Sequence, residues 1–278
     1  MFATRRRKNC GIGKRQLFMQ LEENDLKQPA DQPCFESGDL SQNIVVRLRR
    51  EGFVHVKGPE MRNYLERDGD LSDWPVFAES WSAMPVDRYM ADGGTYRRRR
   101  YSVFSTRIES GEFTLQPPRP HFQTLTCNAS NGGLNRWYEP FSKEIIKGAS
   151  LKTILNTGRN IIEQLCSNRT WHIEAHQFRV EVFADEVGKP TPEGVHRDGV
   201  DFVLVMMINR TNVLDGEATI YPNSDGDALA HFTLLQPFDV LLLADNKVRH
   251  NVSSIMARDP AQPGMRDVLV ATFSRTQR

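Results

Sequence analysis

Short apolar runs punctuated by turn residues dominate the C-terminal half of the chain. The uncharged run Val203-Leu204-Val205-Met206-Met207-Ile208 is followed by Glu217 to Tyr221, His231 to Leu235 and Phe238 to Leu243, with Gly216, the polar segment 222–227 and Pro237 between them. Strands this short and this regularly interrupted predict an all-β sandwich or barrel. Trp171 to Val180 predicts a further strand, and Arg266 to Phe273 another. Upstream, Leu40, Ile44, Val45 and Leu48 give Asp39–Arg50 the spacing of a short helix leading into the strand Phe53–Val56. Leu151, Ile154, Leu155, Ile161, Ile162 and Leu165 predict an amphipathic helix between Lys147 and Cys166 that lies across one face of a sheet. The expectation is a mainly β protein with helical covering, a single domain over 39–278, preceded by a loose, basic and polar arm over 1–38.

Composition narrows the function classes more than it names one. A formal net charge of +1 with 26% charged residues gives no electrostatic case for nucleic acid or an anionic membrane as partner. Cys10, Cys34, Cys127 and Cys166 show neither zinc spacing nor a dense disulfide pattern, which points to a reducing compartment and a cytoplasmic protein. No apolar run reaches the ~18 to 20 residues of a membrane span, and the N-terminus lacks the apolar core of a secretory signal.

The chemistry concentrates in His196-Arg197-Asp198, followed 52 residues later by His250. In an extended strand, positions i and i+2 share a face, so His196 and Asp198 project together while Arg197 turns away. Two imidazoles and a carboxylate on one side of a metal leave the other side open, the composition of a 2-His-1-carboxylate iron site. Thr191-Pro192-Glu193-Gly194-Val195 before the tripeptide and the apolar run after it place it at the mouth of a sheet. His231 competes with His250 for the third position. The segment Phe238 to His250 reads as a hairpin turning at Ala244-Asp245-Asn246-Lys247. Arg266, 16 residues beyond His250, begins a strand that a further hairpin would lay beside His250, and this favours His250. A guanidinium matches a carboxylate with two parallel hydrogen bonds, so Arg266 suits a dicarboxylate cosubstrate. Thr272, on the same strand face at i+6, offers a hydroxyl.

Thr191–Phe202 (TPEGVHRDGVDF), Arg249–Ile255 (RHNVSSI), Arg266–Phe273 (RDVLVATF) and Met90–Phe104 (MADGGTYRRRRYSVF) together resemble the iron and 2-oxoglutarate dioxygenases related to bacterial L-isoleucine hydroxylase. The similarity runs from about Val45 to Phe273. It implies a double-stranded β-helix (jelly-roll, cupin-like) core, and Fe(II), 2-oxoglutarate and O2 as cofactors. It further implies hydroxylation of an unactivated C–H bond of a free amino acid, with succinate and CO2 as coproducts. Residue by residue it assigns His196, Asp198 and His250 to iron and Arg266 to 2-oxoglutarate. Val268 stands where many members of the wider superfamily carry a serine or threonine.

A zwitterionic substrate needs a cation for its carboxylate and an acid for its ammonium. In Arg97-Arg98-Arg99-Arg100 a strand sends alternate residues to opposite faces; we assign Arg98 and Arg100 to the substrate, with Glu193 and Asp201 as the acids nearest the iron ligands. His176, Gln177 and Arg179 either hydrogen-bond across a sheet face or touch substrate. Left open are the amino acid and the carbon oxidised, desaturation or ring closure in place of hydroxylation, and a carrier- or peptide-bound substrate. A non-oxidative cupin-like metal protein, and the choice between monomer and homodimer, also stay open.

Overall fold

The computed structural model describes residues 39–106, 112–125, 132–166 and 170–276. The expected arm at 1–38 lies outside them, as do Cys10, Cys34 and Cys127. Helix α1 (Leu40–Glu51) starts where the Asp39 carboxylate accepts from Ser41 N and ends at Gly52, whose φ of 85° few other residues would adopt. It delivers the chain to β1 (Phe53–Val56), and α2 (Gly58–Asp68), opened by Pro59, and α3 (Trp74–Glu79) follow. Then come β2 (Arg97–Thr106), β3 (Phe113–Leu115), α4 (Lys143–Lys147), α5 (Ala149–Glu163) and β4 (Trp171–Val182). The remainder is strand: β5 (Phe202–Thr211), β6 (Val213–Asp215), β7 (Glu217–Pro222), β8 (Ala230–Thr233), β9 (Val240–Ala244), β10 (Val248–Val252), β11 (Ile255–Ala257) and β12 (Gly264–Arg275).

The strands form an antiparallel sandwich. The large sheet has the order β1-β9-β5-β12-β4-β2-β3, the small one β10-β7-β8, and β11 pairs with β6. Val203, Met207, Leu241, Leu243 and Val268 on the inner face of the large sheet bury against Ala218, Ile220, Phe232 and Val248 of the small one. The outer face of the large sheet carries Leu204, Met206, Leu269 and Phe273, all buried. Helix α5 lies here, approaching so closely that a Cβ at Gly158 would sit 2.9 Å from Phe273 Cζ and 3.2 Å from Leu204 Cδ1. The mainly β class, the helical covering and the boundaries of α1, β1 and α5 follow the periodicity of the sequence to within a few residues.

Two expectations about connectivity do not hold. Ala244–Lys247 is a turn, closed by Lys247 N donating to Ala244 O at 2.8 Å, but β9 and β10 do not pair across it. β9 lies between β1 and β5 in the large sheet while β10 pairs with β7 in the small one, so the turn is a corner between layers. Likewise β12 does not lie beside β10: it runs between β4 and β5. Apolar residues on both faces of β12 suit a central strand of a covered sheet better than the edge position that a hairpin to β10 would need. No helix among the described residues is long and apolar enough to cross a membrane.

Candidate metal centre and its cavity

His196 is not in a strand. It forms a single antiparallel bridge with His250 on β10, His196 N donating to His250 O and His250 N to His196 O, both at 3.0 Å. This pairing brings the two rings to 4.5 Å between centroids. Asp198 follows two residues on, with its Oδ2 3.8 Å from His250 Nε2, and one ligand atom from each of the three lies within 4.8 Å of the others. Gly199, with a φ of 79°, then turns the chain into β5. His231, the competing histidine, sits half-exposed on β8, its Nδ1 3.0 Å from Glu217 Oε1 and away from the cluster.

Asp245, in the corner turn, holds the loop in place, a role that sequence reasoning missed. Its fully buried carboxylate accepts from Asp198 N and Gly199 N, each at 2.9 Å, and from Val200 N at 3.2 Å. Burial raises its pKa and the neighbouring Asp198 adds to the rise, while the three N–H donors oppose it. At His196, burial disfavours the charged ring, but Asp198 and Glu193 outweigh it and the pKa rises; burial and the nearby His196 push His250 well down.

His196 Nδ1 lies 3.0 Å from Gly194 O, a carbonyl that can only accept. In the neutral ring that contact places the proton on Nδ1 and leaves Nε2 bare, the tautomer a metal ligand requires. The donor set therefore fits Fe(II), with one side of the cluster facing a cavity of about 280 Å3.

Arg266 reaches the same cavity from the opposite sheet. It is buried, its Nε has no hydrogen-bond partner, and it makes no ion pair within 4.0 Å among the described residues. Burial pushes its pKa down to about 10, with Arg210 contributing. An unpaired buried guanidinium is costly, so the position calls for an anion. Thr272 also lines the cavity, but at its other end: on β4, Arg266 pairs with Val180 and Thr272 with Glu174. Six residues of strand span roughly 20 Å, too far for one five-carbon dicarboxylate to touch both.

The arginine run on β2 faces the reverse of its expected way. Arg98 bonds Glu181 at 2.8–2.9 Å and Arg100 bonds Pro140 O and Ala83 O, both away from the cavity. Arg97 and Arg99 are the inward pair. Parity was illegible because helices and loops cover the outer face too, so apolar residues flank both settings. Arg97 is neutralised by buried Asp87 at 2.7 Å. Arg99 packs over Tyr138 and Phe178 at 4.1 and 4.5 Å and, among the described residues, has no carboxylate within ion-pair distance. Asp201 does not line the cavity; it pairs with Arg275. Glu193 does, with Oε1 3.4 Å from His196 Nε2.

Unforeseen cavity residues complete the picture. Arg136, 2% exposed, donates to Gln123 Oε1 at 2.8 Å, and Gln123 Nε2 lies 3.5 Å from Asp198 Oδ1. From β4 come His172, Glu174 and Phe178, beside His176, a candidate for substrate contact from the sequence that does line the cavity. Those alternate with apolar Trp171, Ile173 and Ala175, and a polar stripe threaded through apolar positions is the signal that could have found them. Gln177 and Arg179 face the other way, to Ser80 and Asp267.

The comparisons with known proteins agree with this geometry. A "bsmA homolog" from Methylobium petroleophilum PM1 superposes with a TM-score of 0.76 and 34% identity, covering 84% of this chain and 92% of its own. Among characterised relatives, 3(1)-hydroxy-L-isoleucine 4-dioxygenase of Pantoea ananatis is 26% identical over 241 residues, 83% of this chain and 94% of that protein. L-isoleucine-4-hydroxylase of Bacillus thuringiensis is 23% identical over 198 residues, 68% and 80% of the two chains. The family model described as 2OG-Fe dioxygenase matches residues 78–272, a span that begins ahead of the arginine strand and ends within β12. With its jelly-roll sandwich and a His-Asp-His cluster inside that span, this chain belongs to the 2OG-Fe dioxygenase family, oxidoreductases that use Fe(II), 2-oxoglutarate and O2.

Proposed function

We propose that this chain hydroxylates a free aliphatic or cyclic L-amino acid. The observation that carries the reading is a second anion-binding position in the cavity. Arg99 and Arg136, 4% and 2% exposed, have no carboxylate partner among the described residues, and they are separate from Arg266. Arg266 suits the 2-oxoglutarate carboxylate remote from the metal, leaving Arg99 and Arg136 for a substrate carboxylate. His196, Asp198 and His250 would hold Fe(II). Bound there, the metal with 2-oxoglutarate and O2 supplies the oxidising power that puts one oxygen atom into a C–H bond while 2-oxoglutarate leaves as succinate and CO2.

The chain's own contribution is positioning and shielding. Val203, Val205, Leu241, Val268 and Val270 line the cavity between the charged groups and suit an aliphatic side chain. The names of the two relatives, both dioxygenases or hydroxylases of isoleucine compounds, agree with a substrate of that size. Gln123, between Arg136 and Asp198, ties the carboxylate-binding position to the metal loop.

A mass-spectrometric screen of the proteinogenic amino acids and their cyclic analogues, with Fe(II), 2-oxoglutarate and ascorbate, tests the reading. One or more should gain a single oxygen atom with matching succinate, and the methyl ester of that substrate should react poorly. Full activity on the ester, or on a carrier-bound aminoacyl thioester only, would replace the free amino acid with a masked one.

A further inference from the structure

At the end of the cavity remote from Arg266, Glu174 is surrounded by histidines. Its Oε2 lies 2.9 Å from His121 Nδ1 and 3.9 Å from His176 Nε2, and its Oε1 lies 3.3 Å from His172 Nε2. An ionised carboxylate can only accept, so His121 Nδ1 and His172 Nε2 carry their protons toward it. Arg99 donates to His176 Nδ1 at 2.9 Å, and since a guanidinium has no acceptor, that nitrogen is bare and His176 Nε2 is protonated. Burial holds His121 and His176 below their ordinary pKa and so neutral. Burial alone would raise the Glu174 pKa, but the hydrogen bonds from His121 and His172 lead the opposing effects and carry it well below the carboxylate range.

Glu174 is thus a partly buried anion stabilised by N–H dipoles and, among the described residues, by no lysine or arginine within ion-pair distance. In the same cavity Arg99 and Arg136 are buried cations with no carboxylate within that distance among the described residues. Unpaired charges of both signs, each costly to bury, are matched together by a ligand that carries both.

We propose that Glu174 is the acceptor for the α-ammonium group of the substrate, completing with Arg99 and Arg136 a pocket that selects an unmodified α-amino acid over the deaminated or N-acylated compound. This assignment rests on the free-amino-acid reading above. The spacing of His121, Glu174 and His176 would also suit a metal ion. With Nδ1 engaged by Arg99 and Nε2 protonated, His176 has no nitrogen to give one. Glu193, the other cavity acid, stands against His196 at the metal.

Calorimetry on the Fe(II)- and 2-oxoglutarate-loaded protein without O2 reads binding apart from turnover. The ligands are L-isoleucine, or whichever amino acid the screen converts in its place, and the matching deaminated acid, 3-methylpentanoic acid for isoleucine. Wild-type protein should bind the amino acid at least about tenfold more tightly than the deaminated acid, a comparison that needs no variant. Glu174→Gln, which preserves shape, should weaken the amino acid by about ten- to a hundredfold, the range for a charge-assisted hydrogen bond, and leave the deaminated acid and 2-oxoglutarate unchanged. Equal binding of the amino acid by wild type and Glu174→Gln overturns the assignment and leaves the proposed function standing. Parallel loss of both ligands would make Glu174 structural, and two Zn(II) per wild-type chain against one in Glu174→Gln would make it a metal ligand. If no free amino acid binds the wild type, the proposed function itself fails and takes the assignment with it.

Discussion

A carbonyl orients the first metal-binding histidine, while the charged Asp198 and Glu193 raise its pKa. Because Gly194 O accepts from His196 Nδ1–H, the neutral ring presents Nε2 to a metal. His196→Ala, Asp198→Ala and His250→Ala should each abolish Fe(II) binding, measured by anaerobic titration, and with it turnover. His231→Ala, altering half-exposed contacts with Glu217 and Thr219, should retain both; loss of Fe(II) binding there instead would move the third ligand to β8. Arg266→Lys keeps a charge but loses the two-pronged fork. The KM for 2-oxoglutarate should rise about tenfold or more, since a buried charge-assisted hydrogen bond is worth roughly 1.5–3 kcal/mol. An unchanged value would put the anchor elsewhere.

Among the elements, the corner between β9 and β10 does the most with the fewest residues. Asp245→Ala would strip three backbone N–H groups of their buried acceptor and should lower the unfolding free energy by about 2–4 kcal/mol. Fe(II) affinity should fall as well, because Asp198 and Gly199 lose the contacts that place them. Wild-type affinity in a folded Asp245→Ala protein would show that β5 and the His196–His250 bridge suffice to hold the loop. The limits of sequence reading are clearest at this scale. Periodicity gives α1, α5 and the runs that become β4, β5 and β7, because each must bury one side. It cannot say which strands are neighbours: Ala244–Lys247 has turn chemistry whether its arms pair or part to separate sheets. Nor can it give the facing of β2, whose arginines have partners on both sides. The HxD tripeptide and Arg266 were legible because their residue types carry the chemistry themselves. Arg136 and Gln123 were not, since nothing local marks them and only folding brings them to Asp198.

At the scale of the whole molecule, charge is buried in pairs on the large sheet: Arg97 with Asp87, and Arg179 with Asp267 through two bonds of 2.7 and 2.8 Å. For Asp87, burial alone would raise the pKa, but Arg97 and then Arg99 outweigh it and hold it below its ordinary 3.8. A carboxyl depressed by folding stabilises the protein above its unfolded pKa, and that stability is lost as pH falls through the folded value. The melting temperature of Asp87→Asn should therefore lie below that of wild type at neutral pH, with the gap closing below about pH 4. A gap independent of pH would mean that shape, not charge, is what Asp87 contributes.

The His196–His250 bridge and the three bonds to Asp245 also bear on how molecules enter and leave. Both lie where the chain passes from one layer of the sandwich to the other, and together they hold that edge with five hydrogen bonds, on the order of 5 kcal/mol. The sandwich is clasped at that edge and cannot open there like a book. Traffic must run instead past the rim, where Phe122 lines the cavity with about half of its surface in solvent. A bulkier or smaller residue at position 122 should accordingly change the rates at which substrate arrives and product departs while leaving the iron and 2-oxoglutarate affinities as they were.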